Sequence, residues 1–191
     1  MGRREGKVVI VSGPSGVGKS TICKEVVKQL KNVYLGISAT TRPRGGSEVD
    51  GQDYWFISRE EFQRRIDKGL LLEYAEVFGN LYGTPKDKLE EALRAGKVAV
   101  LEIDVQGAQQ AKAIYPDAVT IFILPTTQKE LAKRMNSRGR DRVEEAEKRL
   151  NGAGIEIAAG LQHYQYMVIN DDLQQAVNEV VQIIKQSTGG K

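Results

Sequence analysis

The 191-residue chain is poor in the residue types that carry covalent and metal chemistry: it has one cysteine, one histidine, one tryptophan and five prolines. The single thiol, Cys23, cannot form an internal disulfide and fits a reducing compartment; its place among helix-pattern residues suggests a small buried side chain. The lone histidine, His163, has no serine or acid at a spacing that suggests a triad, so a surface or packing role is expected of it. Trp55 is expected to pack rather than bind a base, and no Cys/His spacing suits zinc. No apolar run approaches the roughly 20 residues that span a bilayer. The opening "MGRREGKVVIVSG" lacks a secretory pattern, and Gly6 stands where an N-myristoylation signal has Ser or Thr. A cytoplasmic protein is the expectation. The charge is also modest: 28 basic against 25 acidic residues leave +3, too balanced to indicate a nucleic-acid or membrane surface.

What is present is an ordinary core-forming composition, 40% hydrophobic and 28% charged. Short β-branched runs occur at Lys7–Ser12, Val98–Ile103, Ala118–Leu124 and Tyr166–Ile169. Helical patterns follow them at Lys19–Leu30, Ala108–Ile114, Gln128–Arg138 and Leu173–Lys185. Strands alternating with helices predict an α/β three-layer sandwich around a mostly parallel sheet. Two stretches break the alternation. Leu35–Gly83 is mixed, with strand-like "DYWFIS" and "LLEYAEV" around a helix that opens on the capping box Ser58–Glu61 and stops at Gly69. The next helix is expected to open at Thr84-Pro85, a hydroxyl cap followed by proline in the first turn, and to end near Gly96. Thr126–Leu161 is polar and helical, with Thr127 and Glu130 as a second capping box. The expected organisation is one domain over 1–191: a core of 5–34, 84–125 and 162–187, with insertions at 35–83 and 126–161.

"GPSGVGKS" fills the pattern G-x-x-x-x-G-K-[ST] between a strand and a helix, the context that motif requires. Such a loop wraps backbone N–H groups around a polyphosphate, so Gly13, Gly16 and Gly18 remove side chains that would obstruct it. Lys19 supplies a point charge to β/γ-phosphates, and Ser20 can enter a Mg²⁺ shell. Gly13, Pro14, Ser15, Gly16, Val17, Gly18, Lys19, Ser20 and Thr21 are therefore the candidate ATP-binding residues. Further on, "LEIDVQG" puts Glu102 and Asp104 at alternate positions near the end of a strand, where they point to one face. Two readings stay open there: a metal or substrate role, with either acid reaching Mg²⁺ through water, or a helix N-cap at Asp104 beside a solvated Glu102.

A phosphate loop names a superfamily rather than a reaction; the stretch "ISATTRPRGGSEVDGQDYWF" narrows it. Taken with "VIVSGPSGVGKST", "LLEYAEVFGNLYGTP", "LEIDVQGAQQ" and "VINDD", in that family's order and spacing, it makes the chain resemble the guanylate kinases from about Lys7 to Ile184. The resemblance implies an ATP:GMP phosphotransferase with Mg²⁺ that uses in-line transfer and no covalent intermediate. It makes 35–83 the GMP-binding insertion and 126–161 a lid. Arg42, a second arginine nearby, Tyr54 and Tyr82 would grip the GMP phosphate, and Ser38, Glu73, Thr84 and Asp104 would face guanine. Arg134, Arg138 and Arg149 would close over the ATP phosphates, with Lys19, Arg42, Arg138 and Arg149 as the catalytic set. Arg140 and Arg142 are read as charged helix surface.

The chemistry of these residue types agrees. An arginine fork holds phosphate oxygens in pairs. Guanine offers two donors, N1–H and the 2-amino group, along one edge, and an acceptor-only carboxylate such as Glu73 takes both. Adenine presents an acceptor there and leaves the carboxylate unpaired. This edge does not distinguish GMP from dGMP. One departure stands out: the family spaces its arginines T-T-R-x-P-R, whereas "TTRPRGG" puts Arg44 one residue early and Gly45 in the second arginine's place. Two rivals remain in view, a kinase for another monophosphate and a non-catalytic guanylate-kinase-like module that binds phosphopeptides. The intact loop and the guanine-edge acceptors weigh against them. The partners expected are ATP and GMP, with no nucleic acid and no membrane.

Overall fold

The computed structural model describes residues 6–136 and 143–189, with side chains for all of these except 128 and 134–151. In chain order the elements are β1 (Lys7–Ser12), α1 (Lys19–Gln29), β2 (Val33–Leu35), β3 (Ala39–Thr40), β4 (Trp55–Phe56), α2 (Arg59–Asp67), β5 (Leu71–Val77) and β6 (Asn80–Pro85). There follow α3 (Lys86–Arg94), β7 (Val98–Glu102), α4 (Val105–Ile114), β8 (Val119–Leu124), α5 (Gln128–Asn136), α6 (Val143–His163), β9 (Tyr166–Ile169) and α7 (Leu173–Thr188). Five strands form one sheet in the order β2-β7-β1-β8-β9, with β2 parallel to β7 and β8 parallel to β9. A second, four-stranded sheet runs β4-β3-β6-β5. This is the mixed α/β architecture the alternation predicts. Among the described residues no helix is long and apolar enough to cross a membrane.

The chain divides into two compact units. One comprises residues 1–9 and 32–118 and contains the second sheet. Phe62 of α2, fully buried, packs with Ala39 and Leu71 and is flanked by Ile57, Ile66 and Leu81. Ser58 caps α2 by accepting from the Glu61 N–H at 3.1 Å. The capping box is half realised, since the Glu61 carboxylate accepts from Arg64 and Arg65 instead. Gly69, at φ 64, ends the helix in the left-handed region.

At Thr84-Pro85 the structure corrects the expected cap. Thr84 belongs to β6 and Pro85 is itself the N-cap of α3, with no side-chain cap bond. The Thr84 hydroxyl donates instead to Glu73 Oε1 at 2.7 Å, and a buried carboxylate is the stronger acceptor. β7 ends at Glu102, so Asp104 is not its strand partner: the Asp104 side chain accepts from the Gly107 N–H at 2.8 Å and caps α4. The expectation that both acids point from one strand face is thereby overturned, and the N-cap alternative is realised.

The other unit comprises residues 10–31 and 119–191. α1 and α7 pack together in it, burying Ile22, Cys23 and Val26 from α1 and six apolar side chains of α7 from Ala176 to Ile184. α7 opens on the Asp172 cap and closes on Gly189 at φ 78. Thr127 caps α5 through the Glu130 N–H at 3.1 Å, as the sequence predicts. His163 is exposed at the end of α6.

Candidate active site

The phosphate loop lies between β1 and α1. Gly13, Gly16 and Gly18 all hold positive φ, at 149, 82 and 105. Gly13 is required twice over, because a Cβ there would meet the Ile123 carbonyl oxygen at 2.4 Å. Gly18, the N-cap of α1, offers no side-chain cap bond. The Lys19 ammonium curls over the loop and donates to the Gly13 and Pro14 carbonyls at 2.5 and 3.1 Å. From β9's end Asn170, 5% exposed, donates to the Val17 carbonyl at 2.7 Å and holds the loop from behind. Nothing in the sequence reading singled out Asn170, because 153 residues separate it from its partner.

The other constellation lies wholly in the unit with the second sheet. β3 brings Thr40 opposite Tyr82 on β6 and pairs Ala39 with Trp55 on β4, so Ser38 and Arg42 flank β3 while Tyr54 sits just before β4. Tyr54 contacts the Phe56 and Tyr82 rings edge-on, each at 5.9 Å between centroids. The Arg42 guanidinium lies over Tyr54 and Phe56, at 5.4 and 5.6 Å. Burial first, then the Glu102 and Tyr82 neighbours, push the Tyr54 phenol well above its ordinary value, so it stays a donor. Trp55 is 41% exposed, its ring against Gly51.

Glu73 owes its position to an irregular strand. β5 pairs Leu71 with Pro85 but Tyr74 with Gly83, so β5 carries one extra residue. That bulge breaks strict alternation and buries Leu71, Leu72 and Glu73 in succession. The carboxylate is 3% exposed. It accepts from the Thr84 hydroxyl and lies so close to α4 that a Cβ on Gly107 would meet its Oε2 at 2.3 Å. Burial raises the Glu73 carboxyl to about 7; the Thr84 bond works against the rise and the Asp104 charge adds to it. The backbone of Tyr74 exchanges two hydrogen bonds with the Gln110 side chain, fixing β5 to α4.

The structure thus groups Ser38, Arg42, Tyr54, Glu73, Tyr82, Thr84, Glu102 and Asp104 in one unit and the residues from Gly13 to Thr21 in the other. Arg44 is exposed and makes no hydrogen bond or ion pair among the described residues. In its place the sequence reading missed Glu48. Its carboxylate takes the Arg42 fork at 2.8 and 2.9 Å and the Gly45 N–H at 2.7 Å. A glutamate six residues along a glycine-rich loop gives no periodic signal. Arg134 falls in α5 and Arg149 in α6, but their side chains lie outside those described, and Arg138, Arg140 and Arg142 lie outside the described residues altogether.

A family model described as guanylate kinase matches residues 5–187. The chain belongs to the guanylate kinase family. It is 46% identical to a guanylate kinase of Carboxydothermus hydrogenoformans over 180 residues, which cover 94% of this chain and 88% of that one. It is 44% identical to a guanylate kinase of Clostridioides difficile, over 95% of this chain and 88% of that one. The crystal structure of guanylate kinase from Anaplasma phagocytophilum superposes with a TM-score of 0.82 at 32% identity, covering 98% of this chain and 89% of that one. The family's mixed α/β fold accordingly extends over nearly the whole chain, both compact units included.

Proposed function

We propose that the protein transfers the γ-phosphoryl group of ATP to GMP, giving ADP and GDP. The observation that carries this reading is Glu73: a carboxylate 3% exposed, held by the Thr84 hydroxyl, in the same unit as an arginine–tyrosine cluster. A buried carboxylate accepts further donors, and guanine N1–H and 2-amino supply two in line. Thr84, Asp104 and Ser38 complete the base site; Arg42, Tyr54 and Tyr82 hold the acceptor phosphate, with Arg44 as a further cation of that loop. Family membership supports the same substrates.

In the transfer an oxygen of the GMP phosphate attacks the γ-phosphorus in line. The bond from that phosphorus to the β–γ bridging oxygen breaks, and the electron pair leaves with ADP. The protein supplies position and charge rather than a covalent intermediate. Gly13 to Thr21 cradle the donor phosphates through backbone N–H groups and the N-terminus of α1. Lys19 exchanges its two carbonyl partners for phosphate oxygens and neutralises the transferring group. Arg134, Arg138 and Arg149 complete the donor side and exclude water.

Among the described residues no cluster of three His, Cys, Asp or Glu side chains suits a metal ion. Ser20, on the first turn of α1, would hold a Mg²⁺ ion that arrives with the nucleotide, with Glu102 or Asp104 acting through water. When bound, such an ion would offset the charge on the phosphate groups.

A coupled assay of ADP release with GMP, AMP, CMP and UMP tests the reading. GMP is expected to be preferred by a factor on the order of 10³ or more, since the wrong base strands a buried carboxylate. AMP turnover equal to that of GMP would overturn it.

A further inference from the structure

We infer that Glu48 is a positioning residue for the acceptor phosphate: it clasps one edge of the Arg42 guanidinium and so presents the other edge to the phosphate of GMP. The inference rests on the acceptor reading above and adds a residue to it. A guanidinium has five N–H donors. Both hydrogens of Arg42 Nη1 are used, on the Pro43 carbonyl at 2.8 Å and on Glu48 Oε2 at 2.9 Å. One Nη2 hydrogen goes to Glu48 Oε1 at 2.8 Å. The two that remain, on Nη2 and Nε, form the lateral edge of the fork. The Tyr82 hydroxyl lies close enough to this guanidinium to favour its charged form.

The lateral edge of Arg42, Nε and the second Nη2 hydrogen, is therefore the side left open to a ligand. Two parallel N–H groups match two oxygens of a phosphate monoester. The aromatic floor of Tyr54 and Phe56 fixes the plane of the guanidinium, and Glu48 fixes its rotation within that plane. The clasp is itself anchored: the Gly45 N–H donates to Glu48 Oε2, and the Glu48 side chain is only 14% exposed. Gly45 occupies the place where the resemblance calls for a second arginine. Here the loop spends that position on holding Glu48, and Glu48 on holding Arg42.

The opposite reading is that Glu48 imitates the phosphate and competes with it. The two predict opposite signs. Glu48→Gln keeps the shape and weakens the clasp; Glu48→Ala removes it. Wild-type turnover of GMP is measured first, so failure of the acceptor reading is seen separately, and the inference falls with it. For the variants KM for GMP and ATP, kcat, and inhibition by guanosine as a phosphate-free probe are then compared. The expected result is a KM for GMP raised about tenfold in Glu48→Ala and less in Glu48→Gln, with KM for ATP and guanosine inhibition within about twofold of wild type, because a charge-assisted pair is lost only at the phosphate. A KM for GMP that stays level or falls overturns the inference in favour of competition. Guanosine weakening as much as GMP overturns it in favour of a general scaffold role, and the isosteric Glu48→Gln keeps this contrast readable if Glu48→Ala does not fold.

Discussion

In the loop from Gly13 to Ser20 three of eight residues are glycines at positive φ, and no side chain caps the helix that follows. From Ser38 to Asp104 the polar groups are side chains drawn from β5, β6, the ends of β3 and β7, and the loops between. On the reading proposed, the first region holds its phosphates with backbone dipoles that cost nothing to orient once the turn forms. The second must hold long side chains in place, and it spends other residues on doing so: Glu48 on Arg42, Thr84 and Gly107 on Glu73. One region is made by leaving side chains out, the other by layering them. Its catalytic leverage should differ accordingly, with charge at the donor acting on the barrier and the acceptor side acting on binding and selectivity.

The largest effect is expected at the donor. Lys19→Met removes the one side-chain charge of the loop while leaving its backbone, and kcat should fall about a thousandfold, ~4 kcal/mol in barrier. Single-turnover rates at saturating ATP and GMP check this, with the thermal midpoint confirming the fold. A fall of less than about tenfold would mean the loop works by backbone alone and would break the contrast.

Next comes Glu73, where the acceptor side carries a stability cost. Its carboxyl is raised from 4.5 to about 7 by burial. A carboxylate raised in the folded state binds its proton more tightly there than in the unfolded chain. Stability from this group is therefore full below pH ~4.5, falls as pH rises toward ~7 and is level above, by on the order of 3 kcal/mol in all. Glu73→Gln, which cannot ionise, should make the ligand-free protein more stable than wild type at pH 8 and bring no comparable gain at pH 4.5. Its KM for GMP should nevertheless rise, and wild-type KM for GMP should fall as pH climbs through 7. Denaturant melts at both pH values decide it: a gap that does not change with pH would mean Glu73 is already ionised in the empty site.

The two regions also differed in how far they could be read from the sequence. The phosphate loop is eight consecutive residues whose composition states its geometry, and β1 and β9 lie where the apolar runs put them. The residues assigned to the acceptor side came from the resemblance to one family, and their arrangement was not legible in the sequence. β2 and β3 have three and two residues, too short for any period, and β6, "NLYGTP", carries a glycine and a proline that read as a turn. Thr84 looks like a cap until a buried carboxylate from another strand claims its hydroxyl. Asp104 looks like a strand acid because the strand stops two residues early. The β5 bulge that buries Glu73 leaves no sequence mark, since it depends on which partner residue each position finds.

The smallest effect is expected at Arg44, where the acceptor loop departs from its family's spacing. Arg44 is exposed, and its neighbour Gly45 gives its N–H to Glu48. For Arg44 to reach a phosphate beside Tyr82, its side chain would have to order itself against the entropy of a free arginine, up to ~2 kcal/mol, in a loop already pinned by Arg42 and Glu48. Arg44→Ala should therefore shift KM for GMP by less than about threefold, where Arg42→Ala shifts it by about thirtyfold, the loss of a bidentate charged pair. Gly45 is not among the residues at positive φ, so an arginine can stand there with its N–H still on Glu48. Gly45→Arg should then lower KM for GMP in an Arg44→Ala background. A tenfold penalty from Arg44→Ala alone would show instead that the loop rearranges around the nucleotide, and that the acceptor side orders a second cation only once the phosphate arrives.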